Sequence, residues 1–213
     1  MATSPLAPSG QADGARTRAS LRATPIFSLS RFADIQTGYH LKRGLQPGSH
    51  GNVALVRGSD VSCALAQPLA RVRMDAVPLH HLLQDGDLVF KIRGKNNPAA
   101  LITAPQGPTI CTSTLARIRI RDQARLLPAY LTWLLNAPQT QAMLEQHSLL
   151  TRIRVVPARV LQDLDIYVPS MARQRQIAKA HALNLQVIEK ENCLREKNRV
   201  YAAEALMRLA RFE

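Results

Sequence analysis

The C-terminal part of the chain constrains its fold most strongly. Residues 172–213 contain neither glycine nor proline, and Ala, Leu, Glu, Arg, Lys and Gln dominate the segment. These residue types favour helices, and an uninterrupted helix of this length would extend on the order of 60 Å. A rod of that length cannot fold back on a domain of about 150 residues. Most of it is therefore expected to pair with another helix.

The apolar residues of this segment recur at spacings of three, four and seven, which is typical of the contact face of a coiled coil. They are Ile177, Ala180, Val187, Ile188, Leu194, Tyr201, Ala205 and Leu209. Asn184, Glu191 and Asn198 interrupt the stripe at one heptad position, where polar residues set register and partner number. We therefore predict a helix-pairing segment. The alternative is a single solvated helix supported by charge pairs such as Glu191–Arg195.

The charge of the chain favours a polyanionic partner. Lys and Arg number 28 against 15 Asp and Glu, which gives a formal net charge of +13, and only six of the basic residues are lysines. Basic side chains that bind phosphates release condensed counterions. Arginine also forms two-pronged hydrogen bonds to phosphates and guanine edges. The composition thus indicates a nucleic-acid-binding protein, with the codon usage of a GC-rich genome as the alternative explanation.

Several other classes of protein are disfavoured by what the sequence lacks. No apolar run approaches the length of a membrane helix, and three widely spaced cysteines favour a reducing, cytoplasmic compartment over a disulfide scaffold. No phosphate-binding glycine loop, zinc-ligand spacing or nucleophile elbow occurs, so we expect no metal and no cofactor in this chain. Residues 1–24 are rich in Ala, Ser, Pro and Gly and are predicted to form a disordered tail.

Residues 25–171 are predicted to form one α+β domain. A short buried strand is expected at 52–57, and another at 88–92 after a tight turn at 85–87. Residues 69–74 and 115–121 alternate apolar residues with arginine, which predicts half-buried strands with a basic, solvent-facing side. Pro128 and Pro138 each mark the start of a short helix. The fold class is therefore a mixed α/β domain followed by one long coiled-coil-type helix.

Four blocks of this sequence, in order, resemble the DNA-specificity (S) subunits of type I restriction–modification systems. The first runs from Phe27 to Tyr39, and the second is LLQDGDLVFKIRGK at 82–95. The third is LPAYLTWLLN at 127–136, and the fourth is LQDLDIYVPSMARQRQIA at 161–178. The fourth departs from the family pattern at Arg173, since an acidic residue usually precedes the glutamine there.

The resemblance implies a DNA target-recognition domain at 25–171 and a helix at 172–213 that serves as spacer, dimerisation element and partner-docking site. Family members usually carry two such units, whereas this sequence carries one, so a half-subunit is implied. It would form a homodimer or pair with a second half-subunit and read a bipartite site in double-stranded DNA. The resemblance also implies a partner methyltransferase subunit that binds S-adenosylmethionine, often a restriction subunit as well, and no catalysis in this chain.

Loop residues with flexible backbone and polar side chains are the predicted DNA contacts, because phosphate contacts fix register and base-edge contacts read sequence. They are Tyr39, His40, Lys42 and Arg43, then Arg93, Lys95, Asn96 and Asn97, then Ser113 and Thr114, and finally Arg152 and Arg154. For each loop the alternative is an ordinary solvated turn. Tyr130 and Trp133, at helical spacing, are expected to pack in the core.

Two other functions stay open at the level of sequence. The same basic surface and long helix would suit a coiled-coil adaptor or an RNA-binding module. Asp75, Asp87 and Lys91 could form the triad of a metal-dependent nuclease, but the carboxylate that this chemistry needs beside the lysine is missing, and a tight turn explains residues 85–87 better.

Overall fold

The structure, a computed structural model, describes residues 24–41, 47–62, 64–148 and 154–211. Its strands are β1 (Ile26–Ser28), β2 (Ala33–Thr37), β3 (Val53–Val56), β4 (Ala70–Val72), β5 (Leu88–Lys91), β6 (Ala99–Leu101), β7 (Thr109–Cys111), β8 (Leu115–Ile120) and β9 (Asp165–Tyr167). Its α-helices are α1 (Pro128–Asn136), α2 (Pro138–Gln146), α3 (Ala158–Gln162) and α4 (Met171–Leu209). This arrangement confirms the predicted α+β domain with a long C-terminal helix. The part from β1 to β9 is called the head below.

The main sheet has the strand order β2-β8-β5-β6, and all its neighbouring strands are antiparallel. Alternate residues of β8, such as Ala116 and Ile118, face the larger core, which the helices of the head cover. The helices α1 and α2 both begin with proline, as predicted, because its fixed φ suits the first helical position. Tyr130 is buried, and Trp133 packs beside it, which agrees with the expected core role.

A second sheet, β4-β3-β7, packs on the other side of the main sheet. Its central strand β3 is buried at all four positions, as the apolar run at 52–57 predicts. The strand β3 runs parallel to β7 and antiparallel to β4. Val89 and Leu115 of the main sheet meet Val56 and Cys111 of the second sheet in a smaller core. Burial raises the pKa of the Cys111 thiol to about 12, so this cysteine is an inert packing residue.

The predicted basic, solvent-facing side of residues 115–121 is wrong for two of the three arginines, both of which lie in β8. Arg117 is only 9% exposed, and its Nη1 donates to the carbonyl of His80 at 2.7 Å. Arg119 is half-buried and forms two hydrogen bonds of 2.7 Å to Asp87. The segment that carries His80 and Leu82 crosses this face, and its carbonyls accept from the guanidinium groups. The alternation of apolar residues and arginines shows that the two faces of the strand differ in polarity. It does not show that the polar face is open to water.

The long helix α4 leaves the head after its first turns. Ser170 caps it and Ile177 packs against the larger core, whereas every residue from Gln186 to Arg211 is exposed. Val187, Ile188, Leu194, Tyr201 and Leu209 of the predicted pairing stripe lie in this exposed part. The helix therefore does not fold back on the head, and its pairing stays a prediction. No helix in the described ranges is long and apolar enough to cross a membrane.

The Asp87–Arg119 pair provides a test of the fold. Asp87 is 2% exposed and its carboxylate also accepts from the backbone N–H of Gln84, so Asp87→Ala leaves the half-buried guanidinium of Arg119 without its counter-ion. Unfolding in urea should show a loss of about 3–5 kcal/mol. The matched control is Asp34→Ala, because Asp34 pairs with Arg121 on the surface; this variant should lose no more than about 1 kcal/mol. Equal losses would contradict the assignment of Arg119 to the interior.

Candidate nucleic-acid interface

Strand direction brings five segments of the head to one edge of its sheets. The strands β2, β3, β5 and β7 all end there, while β8 begins there. The segments that follow or connect these strands are called the loop edge, which comprises residues 39–41, 57–61, 91–98 and 112–114. Residues 154–156 join them through the bridge between Arg93 and Val155.

The loop edge contains every predicted DNA contact that the structure describes. Ile92 donates its N–H to the carbonyl of Thr114, and Gly94 donates to that of Arg154, both at 3.0 Å. Ser113 Oγ lies 3.5 Å from His40 Nδ1. Four blocks that are distant in sequence are thus neighbours in space. Lys42, Arg43 and Arg152 lie outside the described residues.

Charge is distributed unevenly between the two edges of the sheets. The opposite edge carries Asp34, Asp75, Asp85, Asp87 and Asp122. At the loop edge the described acidic residues are Asp60 and, from α2, Glu145, and each is paired with an arginine. Within the described ranges Lys91, Arg93 and Lys95 have no ion-pair partner. The loop edge therefore has uncompensated positive charge, which attracts polyanions.

A groove of about 640 Å³ lies between the hairpin at 91–98 and α2. Lys91, Lys95, Asn96 and Arg154 line it, and Arg154 Nη1 contacts Glu145 Oε1 at 2.6 Å. These side chains offer ammonium and guanidinium donors, together with the amide of Asn96. A phosphate or the edge of a base presents the acceptors that such donors bind.

One predicted contact, Asn97, has a different role in the structure. Its side chain is buried, and its Nδ2 donates to the carbonyl of Lys91 at 2.8 Å. Gln141 Nε2 donates to the Asn97 carbonyl at 2.9 Å, which ties the hairpin to α2. Asn97 is thus a largely buried residue that shapes the hairpin from inside, with one side-chain bond that holds the backbone at Lys91. Sequence alone did not separate it from its exposed neighbour Asn96.

Arg57 and Lys91 belong to the loop edge but were not among the predicted contacts. Arg57 forms a two-pronged pair with Asp60. Burial raises the pKa of Asp60, but hydrogen bonds from Arg57 and Ser59 outweigh it and lower the pKa below its usual value. The available signal was the sequence RGSD at 57–60, a turn directly after a buried strand.

Two adjacent histidines, His80 and His81, lie beside Tyr39 of the loop edge. The ring of His81 contacts the Tyr39 ring edge-on, with centroids 5.3 Å apart, and the His80 ring lies 4.4 Å from that of His81. Burial lowers the pKa of His81, and the neighbouring charges of His80 and Arg117 lower it further. The lowered pKa favours the neutral ring of His81, which packs edge-on against Tyr39.

Gly94 provides a structural test of the hairpin. Its φ is +131°, and a Cβ there would lie 3.2 Å from Lys91 Cε. Gly94→Ala should lower the free energy of unfolding by about 1–3 kcal/mol, because the backbone conformation is strained for any L side chain. Gly48→Ala is the control, since a Cβ at Gly48 meets nothing within 4 Å. Indistinguishable urea midpoints for the two variants would contradict the described hairpin geometry.

The chain resembles known proteins in its structure more clearly than in its sequence. No protein-family model matches the chain, and no curated protein matches it. A solved chain from work on the assembly and conformational transition of the type I R-M system is 19% identical, with a TM-score of 0.60 over 85% of this chain and 44% of that chain.

Two solved specificity subunits match in the same way. The type I restriction–modification S subunit from M. genitalium is 16% identical, with a TM-score of 0.58 over 82% of this chain and 42% of that chain. The HsdS subunit from Thermoanaerobacter tengcongensis is 18% identical, with a TM-score of 0.56 over 82% of this chain and 41% of that chain. The chain thus spans less than half the length of the proteins that it matches. The likeness confirms at the level of fold the resemblance predicted from four sequence blocks: this chain has the fold of type I restriction–modification specificity subunits.

Proposed function

We propose that the chain is a non-catalytic DNA-specificity subunit of a type I-like restriction–modification system, and that its loop edge reads double-stranded DNA. The observation that carries the proposal is a cluster of basic side chains, Lys91, Arg93 and Lys95, without ion-pair partners among the described residues, on a fold shared with specificity subunits. The loops that differ most freely in such a fold are those that connect strands. A scaffold that presents five of them together is suited to sequence reading.

The side chains of the loop edge divide into two chemical groups. The first group carries positive charge and would bind phosphates, which fixes the protein on the duplex. It consists of Arg93, Lys95 and the basic side chains that line the groove. Asn96 and Ser113 supply uncharged donors and acceptors, and an Asn amide can pair with the major-groove edge of adenine. The exposed His40 adds a ring nitrogen beside Ser113. Affinity would therefore come mainly from the first group and sequence preference from the second.

The partners are also part of the proposal. The exposed apolar stripe of α4 would pair with a second copy of this chain or with a different half-subunit, which places two heads on a bipartite site. A methyltransferase subunit would bind S-adenosylmethionine and methylate adenine, and a restriction subunit could join the same assembly. This chain would contribute no reacting group.

The metal-nuclease alternative has little support in the geometry. Both carboxylate oxygens of Asp87 accept hydrogen bonds from Arg119, and Asp87 is buried. Within the described ranges no group of three or more His, Cys, Asp or Glu residues is arranged to bind a metal ion. The RNA-binding alternative rests on the same basic surface, and a comparison of duplex DNA with RNA separates the two.

Salt dependence and charge removal test DNA binding at the loop edge. Affinity for a duplex should fall steeply with salt, and each of Arg93→Ala and Lys95→Ala should reduce the slope of log K against log [salt] by about one. Arg73→Ala is the matched control, because Arg73 is exposed at the opposite edge; its slope should equal that of the native chain. Fluorescence anisotropy measures the DNA affinity of the native chain and of the three variants at several salt concentrations. Tighter binding to RNA than to DNA, or equal effects of the three substitutions, would reject the proposal.

Substitutions in the stripe of α4 test self-association. Leu194→Lys, which places a charge in the stripe at a residue that is 60% exposed, should convert a dimer into a monomer. Ala203→Lys, on the opposite face of the same helix, should leave the dimer unchanged. Analytical ultracentrifugation at several concentrations measures the mass. A native chain that is monomeric at all concentrations would exclude the homodimer and direct attention to a second half-subunit.

A further inference from the structure

The junction between the head and α4 depends on one buried side chain. Within Met171–Leu209, Gln174 is the residue that is fully buried, at 0% exposure. It lies one turn after Ser170, the residue that caps the helix. Every other residue of this first turn is exposed or half-buried. A polar side chain therefore occupies the position where an apolar anchor would be the usual choice.

The amide of Gln174 connects the helix to two parts of the head. Its Oε1 accepts from the backbone N–H of Leu127 at 2.8 Å. Its Nε2 donates to the carbonyls of Arg125 and Pro169, both at 2.9 Å. Both amide protons and the oxygen are thus in use, so the cost of burying the group is offset.

Hydrogen bonds of this kind restrain direction as well as distance. The planar amide of Gln174 makes three such bonds. Two go to the segment that precedes α1, and one goes to the residue that precedes the α4 cap. Together they restrain the direction of α4 at its base. Apolar packing, such as that of Ile177 on the larger core, tolerates small rotations and slides. The hydroxyl of the buried Tyr130 adds a bond of 2.9 Å to the carbonyl of Tyr167, just before the junction.

The length of α4 amplifies any change of angle at this point. The helix continues to Leu209, about 35 residues beyond Gln174, and thus extends about 50 Å at about 1.5 Å per residue. A rotation of about 10° at the base moves its far end by about 9 Å, which corresponds to between two and three base pairs at about 3.4 Å each. The angle of the helix therefore determines where a partner head would meet the DNA.

We infer that Gln174 is a positioning residue that fixes the angle between the head and α4 and thereby sets the separation of the two DNA half-sites. The restraint on the angle stands on the hydrogen bonds alone, whereas the consequence for half-site separation rests on the proposed function. The described hydrogen bonds of the Gln174 side chain all lie at the base of α4, away from the loop edge. Its loss should relax spacing while sequence reading by a single head is retained.

A distance measurement within one chain tests the angular restraint. Spin labels are attached to Cys193, which is exposed on α4, and to a cysteine introduced by Gln106→Cys in an exposed loop of the head. The background carries Cys63→Ser, and Cys111 is buried. Labelled protein is diluted into unlabelled protein, so that only distances within a chain are recorded by pulsed electron paramagnetic resonance.

Gln174→Leu should broaden this distance distribution about twofold, because the directional bonds are lost while the volume is retained. Asn52→Ala is the control: Asn52 also joins two segments through its amide, at 2.7 and 2.9 Å to Met74, but far from the junction. It should leave the width unchanged. Tyr130→Phe removes one bond at the junction and should broaden the distribution to a smaller extent, which keeps the inference testable if Gln174→Leu fails to fold. Native widths in the junction variants would overturn it.

A series of duplexes tests the consequence for DNA. The half-site is first identified by selection with the native protein, and duplexes are then made with half-sites at different separations. Native affinity should fall about tenfold when the separation changes by about two base pairs, since both heads can no longer bind at once. For Gln174→Leu the fall should be less than about threefold, with single half-site affinity unchanged. If Gln174→Leu shows the same dependence on half-site separation as the native protein, the inference is overturned. If the native protein shows no dependence on separation, the proposed function is refuted. In that case the distance measurement alone decides whether Gln174 restrains the helix angle.

Discussion

The antiparallel pairing of β8 with both β2 and β5 is the constraint on which the rest of the structure depends. Because β8 lies between these strands, the ends of β2 and β5 must lie at the same edge as its own beginning. The adjacent strand β7 leads directly into β8 and carries β3 with it through parallel pairing. The loops that follow four different strands are thereby collected into one surface, without any direct attraction between them.

Electrostatics then distinguishes the two edges that this topology creates. Two arginines towards the opposite edge pair with aspartates: the half-buried Arg119 pairs with Asp87, and Arg121 pairs with Asp34 at the surface. The loop edge has fewer carboxylates, and its described lysines have no ion-pair partner within the described ranges. Ion pairs thus support stability towards one edge, while the described part of the other edge carries positive charge without such pairs. Under the proposed function this head works with a second head, and the long helix with its hydrogen-bonded base would set their relative placement.

The sequence predicted the elements more reliably than it predicted which surfaces are open. The helix at 172–213, the buried strand at 52–57 and the proline-initiated helices follow from local propensity and periodicity, so one sequence suffices to predict them. Arg117 and Asn97 were misjudged because their burial depends on a crossing segment and on α2, which are distant in sequence. Gln174 lay within a recognised block, but its three partners become visible only when residues 125–127 are brought to the base of α4.

Hydrogen–deuterium exchange with and without duplex DNA tests the central claim most directly. The account predicts that DNA slows exchange in peptides that cover residues 39–41, 91–98 and 112–114, and leaves exchange at the opposite edge, around residues 73–75 and 103–107, unchanged. Protection confined to the opposite edge or to the exposed part of α4, with none at the loop edge, would contradict it.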